Sequence, residues 1–177
     1  MRRQGVEVSV YSLRWRPADA DDLLAHWRLD DLPVQWVSPV GYLLGIVMFV
    51  RHPVWSAFLL RCIFIDNALR PVHFIKSTVL VPFVLCLFGR LVKAQPDIVH
   101  LFWGHYPSLL GLMVKRFTPS IPLSMFLGAY DLNTEYATSH RCAVAADAVF
   151  THARANLGRL EALGVNFEKL HLVYRGI

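Results

Sequence analysis

The 177 residues suit one domain of ordinary size and leave little room for a second. Hydrophobic types make up 55% and charged types 18%, a composition that supplies a buried core and excludes an intrinsically disordered chain. The net charge of +5 favours anionic partners of the phospholipid-headgroup, nucleotide-phosphate or nucleic-acid kind, without choosing among them.

Met1-Arg2-Arg3 runs into Gln4-Gly5-Val6-Glu7 with no apolar leader segment, which points to the cytoplasm. Residues 6–13 alternate apolar and polar, the period of a half-covered strand, and Gly5 before them suits the turn after a helix. Residues 14–31 are polar, with a short helix expected over 22–27, and Val34–Val37 reads as a second strand. Residues 41–64 read as helical with an interruption at Pro53. Residues 77–93 read as a further helix, with Arg90 and Lys93 in its last turn, where cations complement the dipole. A membrane-spanning helix needs about 20 apolar residues in a row. The run over 32–50 is apolar only from residue 40, and the run over 77–89 carries Pro82. Both read as buried or interfacial helices.

From Pro96 the texture becomes regular. Residues 97–103 form a near-continuous apolar run, the pattern of a strand covered on both faces. The loop Gly104-His105-Tyr106 follows, and Pro107 suits the first turn of a helix lasting to about Phe117. Then come a strand over 123–127, the loop Gly128-Ala129-Tyr130-Asp131, a helix over 134–145 and a strand over 148–151. A helix over 153–163, capped by Gly164, leads to a last strand over 170–174. This alternation predicts an α/β, Rossmann-like, three-layer domain around a mostly parallel sheet. Ligands of such sheets bind beyond the carboxyl ends of the strands, which selects the loops at 104–106, 128–131 and 151–154. Cys62, Cys86 and Cys142 are odd in number, lack metal spacing and sit in apolar surroundings, so they read as reduced, buried thiols.

The second half carries an ordered set of short motifs: Pro96-Asp97-Ile98-Val99-His100, then Ile121-Pro122-Leu123-Ser124 leading to Gly128-Ala129-Tyr130-Asp131, then Ala145-Ala146-Asp147-Ala148-Val149-Phe150-Thr151-His152, Leu163-Gly164, and Val173-Tyr174-Arg175-Gly176-Ile177. Their order and spacing resemble the N-terminal, acceptor-side domain of family 4 (group 1) glycosyltransferases, particularly those of exopolysaccharide and colanic-acid type. Before Pro96 the likeness thins to Gly5-Val6-Glu7-Val8. The resemblance implies one half of a two-domain GT-B fold. The family's first strand with its glycine-rich loop is then expected before Gly5, and the donor domain after Ile177, so residues 1–177 read as a single incomplete domain. It also implies retaining transfer of a sugar from a nucleotide-sugar donor to a glycan or lipid-linked acceptor, with no metal or other cofactor and no nucleic acid as partner. The family commonly places His three residues before the loop aspartate; here that position is Gly128, with Asp131 kept.

The substrate-binding candidates are His105, Gly128, Asp131, Arg154, Arg175 and Gly176. His105 follows a strand end, where a ligand reaches it or where it packs against Trp103. Asp131 either meets an acceptor hydroxyl or caps the helix after it. Arg154 stands at a helix start, suited to a phosphate. By resemblance, Arg175 and Gly176 face the donor. His100 reads as a core or near-core histidine. The mixture of His52, Trp55, Phe58, Arg61 and Phe64 suits a membrane surface or ordinary helix packing. Two other readings remain: a non-catalytic α/β interaction module or membrane-associated partner subunit, and an integral membrane protein using residues 40–50 and 77–89.

Overall fold

The computed structural model of the chain describes residues 5–26, 28–29, 32–134 and 136–174. The elements run β1 (Val10–Trp15), α1 (Ala20–His26), β2 (Val34–Val37), α2 (Pro39–Arg51), α3 (Pro53–Asn67), α4 (Pro71–Ala94), β3 (Val99–Leu101), α5 (Pro107–Phe117), β4 (Leu123–Phe126), α6 (Ala129–Asn133), α7 (Ala137–Ala145), β5 (Ala148–Thr151), α8 (Ala155–Ala162) and β6 (Leu170–Leu172). All strand pairing among the described residues is parallel, and the fold is α/β of the Rossmann-like class. The strands form two sheets, β1-β2 and β3-β4-β5-β6.

In the larger sheet the strands are laid down in sequence order, in the registers Val99↔Leu123, Met125↔Val149 and Thr151↔Leu172. Parallel neighbours require crossovers, and crossovers are almost always right-handed, so consecutive strands laid in one direction send their linking helices to the same face. Val99, Leu101, Leu123, Met125 and Val149 on that face are buried together with Leu109, Leu112 and Met113 of α5, Cys142 of α7 and Leu160 of α8. Val84, Leu85 and Phe88 bring α4 into the same core. A smaller cluster of Val37, Phe83 and Leu87, with Leu13 against it, attaches the β1-β2 sheet to α4. Thus α4 serves both sheets.

The helix boundaries have local causes. Pro39, Pro53, Pro71 and Pro107 each occupy a first turn, where the missing N–H is no loss. Ser38 caps α2, its Oγ accepting from the Gly41 N–H at 3.1 Å. Gly164, at φ +91°, ends the chain segment after α8 as a left-handed cap. Pro82 sits inside α4 without ending it. Gly45 of α2 faces it so closely that a β-carbon there would overlap the Pro82 carbonyl.

Several expectations shift. The first strand lies over Val10–Trp15 rather than 6–13, and α4 starts at Pro71, six residues before the residue 77 read from sequence. His73 and Lys76 interrupt its apolar pattern but lie within the helix. The helix expected over 134–145 starts at Ala137 as α7, and the loop expected at 128–131 is a loop only at Gly128, since the short helix α6 begins at Ala129. The run over 97–103 is covered on one face only, since Ile98, His100 and Phe102 are exposed. The three cysteines are free and buried, as expected. At 24 residues α4 is long and apolar enough to cross a membrane by length and composition, and α2 with α3 passes the same test as a pair bent by 103°.

Candidate functional site

The registers of β3, β4 and β5 bring the loops at 104–106, 128–131 and 151–154 to one rim, beyond the carboxyl ends of the strands. The first two are tied together by one side chain. Asp131 Oδ1 accepts from the Gly104 N–H at 3.0 Å, and Oδ2 accepts from the Gly128 N–H at 3.0 Å. The carboxylate is buried, and both of its oxygens are engaged by backbone donors. It therefore caps α6 and fixes the distance between two strand exits. Gly104 is required there: a β-carbon would overlap side-chain atoms of Leu127 and Ser139, while Ser108 Oγ donates to the Gly104 carbonyl.

His105 is held by aromatic rings. Tyr136 stacks on it at 5.5 Å between centroids and Tyr130 at 5.7 Å, with Tyr106 edge-on at 5.1 Å. His73 reaches across from α4 to 6.0 Å. Tyr136 is fully buried, its hydroxyl 2.7 Å from Ser77 Oγ, and burial pushes its phenol up to about 12. Burial lowers the pKa of His105 below the ordinary imidazole value. The Asp131 carboxylate opposes that shift, and His73 and Lys76 reinforce it. Burial also lowers His73, with help from Arg70 and Lys76. At neutral pH both rings are uncharged.

Gly128 lies in extended backbone that any residue adopts (φ −96°, ψ 175°), and a β-carbon there would meet His152 Cε1 at an ordinary 3.5 Å. His152, which sequence reasoning passed over, therefore stands beside the position where the resemblance expects an imidazole. Its ring stacks on Phe126 at 5.7 Å, Phe126 stacks on Phe102 at 5.7 Å, and its Nδ1 has no hydrogen-bond partner. The available signal was its place one residue past a strand end, inside a loop already selected. His73 carried no such signal, because it comes from a distant helix.

Arg154 is exposed just before α8, two residues after His152. Arg175 and Gly176 lie outside the described residues. His100 is not a core residue: it lies on the open face of β3, with Nδ1 2.8 Å from Ser124 Oγ. Trp55 and Phe58 pack inward against Phe88 and Phe117, which leaves Arg61 and Phe64 as the exposed members of the aromatic and basic mixture. A separate groove of about 470 Å³ is lined by Arg70, Leu132, Ala137, His140, Arg159 and Leu163. There Arg159 is already bonded to Asn133 Oδ1 and the Leu132 carbonyl. Among the described residues no group of three His, Cys, Asp or Glu side chains is placed to hold a metal ion. Compared with protein-family models, curated proteins and solved structures, the chain matches none.

Proposed function

We propose that the chain is the acceptor-side domain of a retaining glycosyltransferase, which moves a sugar from a nucleotide-sugar donor to a glycan or lipid-linked acceptor. The observation that supports this best is the rim, where the exits of β3 and β4 are locked together by the Asp131 carboxylate and flanked by the imidazoles of His105 and His152. On this reading the acceptor lies along the rim. His105, kept neutral by burial and oriented by Tyr130 and Tyr136, accepts a hydrogen bond from an acceptor hydroxyl. His152 supplies an imidazole beside Gly128, where the family resemblance leads one to expect one. Phe102 and Phe126 offer flat apolar faces to a sugar ring. Asp131 acts as a positioning residue. Arg154, with Arg175 and Gly176 by resemblance, faces the donor phosphates, which a second domain would hold. The transfer itself then needs that second domain, and the 177-residue chain binds acceptor without turning over donor.

The test is calorimetric titration of the purified chain with a short-chain polyprenyl-phosphate-linked disaccharide. His105→Ala and His152→Ala each remove one hydrogen bond to the ligand and weaken binding roughly three- to tenfold. Robust turnover of a nucleotide-sugar by the chain alone, or binding untouched by either substitution, refutes the reading. A second reading, a membrane-associated partner subunit, is favoured by one observation: the outer faces of α2, α3 and α4 are apolar and exposed.

A further inference from the structure

Three features of the helical side of the molecule converge. First, the stripe of α2 formed by Val40, Leu43, Val47 and Val50 faces outward, at the spacing of a single helix face. Second, Phe64 and Ile65 on α3 are exposed, Val72, Ile75 and Val79 form an outward stripe on α4, and the corner between these helices carries Leu69 at 96% exposure. An apolar groove of about 230 Å³, lined by Ile46, Phe49, Leu60 and Val81, joins all three helices into one surface. Such an extended exposed patch is far from the scattered exposed apolar residues of an ordinary surface.

Third, the charge around this patch has one sign. Between Pro39 and Ala94 the chain carries Arg51, Arg61, Arg70, Lys76, Arg90 and Lys93 against a single carboxylate, Asp66. That carboxylate is turned inward, its side chain 7% exposed and Oδ2 3.2 Å from Arg141 Nη2. Among the described residues, α2, α3 and α4 thus offer a partner apolar side chains and cations. A second copy meeting it across a two-fold axis would set Arg51, Arg61 and Lys76 near their own likeness. A layer with an apolar interior and an anionic surface matches it.

We propose that the outer faces of α2, α3 and the first half of α4 form an interfacial docking surface for an anionic phospholipid bilayer, with the Leu69 corner inserted most deeply. The 103° bend between α2 and α3 lets both lie along the plane of the bilayer rather than cross it. The geometry also sets an orientation. His73 directly follows Val72 in the first turn of α4 and lies 6.0 Å from His105, so docking at the Leu69 corner brings the rim close to the lipid surface. The docking stands without the sugar-transfer reading; only the use made of that orientation rests on it.

The experiment is flotation of the full chain with vesicles of phosphatidylcholine and phosphatidylglycerol in equal parts, compared with phosphatidylcholine alone. The chain floats with the anionic vesicles and at least tenfold less with the neutral ones. Arg51→Gln and Arg61→Gln each weaken anionic-vesicle binding about fivefold. The double change Leu69→Asp with Val72→Asp weakens it at least tenfold, while the circular-dichroism spectrum and unfolding midpoint stay put because both side chains are exposed. Sodium carbonate releases the bound protein. Four results overturn the proposal: no flotation; flotation indifferent to the Leu69 and Val72 changes; bound protein that only detergent extracts, which makes α4 a spanning helix; and a concentration-dependent dimer that ignores vesicles, which makes the face a contact between copies. Because the probe carries no glycan, failure here leaves the acceptor-binding test intact, and the reverse.

Discussion

Replacing Asp131 by Ala leaves the N–H groups of Gly104 and Gly128 buried without an acceptor. An unsatisfied buried donor costs about 1–3 kcal/mol, so the variant is expected to lose roughly 2–5 kcal/mol in urea unfolding. A loss under about 1 kcal/mol would mean that the carboxylate does not pin the loops. The histidines make a second prediction at this scale. His73 and His105 both have folded-state pKa values below the ordinary value, each chiefly because burial disfavours the cation. A lowered folded pKa means that the unfolded chain binds protons first. The stability they support is therefore full above about pH 6.5 and is lost as pH falls from there through the folded values. Thermal unfolding between pH 7.5 and 5 is expected to show a falling midpoint, with a shallower fall in His105→Gln. An equal fall in that variant would remove His105 from the account. The shared rim was legible in the sequence but the tie across it was not: Asp131 reads there as a helix cap somewhat more readily than as a ligand contact. Its second partner, Gly104, lies 27 positions away and is reached only once β3 and β4 are side by side.

Among the elements, α2 and α4 cross at their smallest residue. Alanine at an exposed helical glycine normally gains up to about 1 kcal/mol. At Gly45 the added methyl overlaps the Pro82 carbonyl of α4, a backbone atom that cannot rotate away, and overpacking of this kind costs about 1–3 kcal/mol or more. Gly158 of α8 has open space around its missing β-carbon and provides the control. Gly45→Ala is expected to destabilise the protein and Gly158→Ala to stabilise it slightly, both read by urea midpoints; the same sign at both sites contradicts the packing described. The strands β2 and β5 and the helix α5 were readable at their observed bounds, because short apolar runs and a leading proline act locally. The early start of α4 was not. Its first two turns hold His73 and Lys76, whose polarity breaks the apolar pattern, and His73 turns toward the ring cluster around His105 and Tyr136.

At the scale of the whole molecule, the alternation of strands and helices after Pro96 carried the parallel order, and the order carried the rim. The membrane-like surface was half legible. The apolar stretches are plain in the sequence, but a stretch of Val, Leu and Phe reads alike whether it is buried, as at Leu85, or exposed, as at Val50. Only packing distinguishes them. Binding at the rim is read residue by residue by isotope-edited NMR. Amide and imidazole shifts are followed while the polyprenyl-phosphate-linked disaccharide is added to the full chain in detergent. If acceptor lies along the rim, the Gly104 and Gly128 amides and the His105 and His152 rings shift together, with one saturation curve. Shifts confined to the groove between Arg70 and Arg159, or curves that saturate separately, would contradict it.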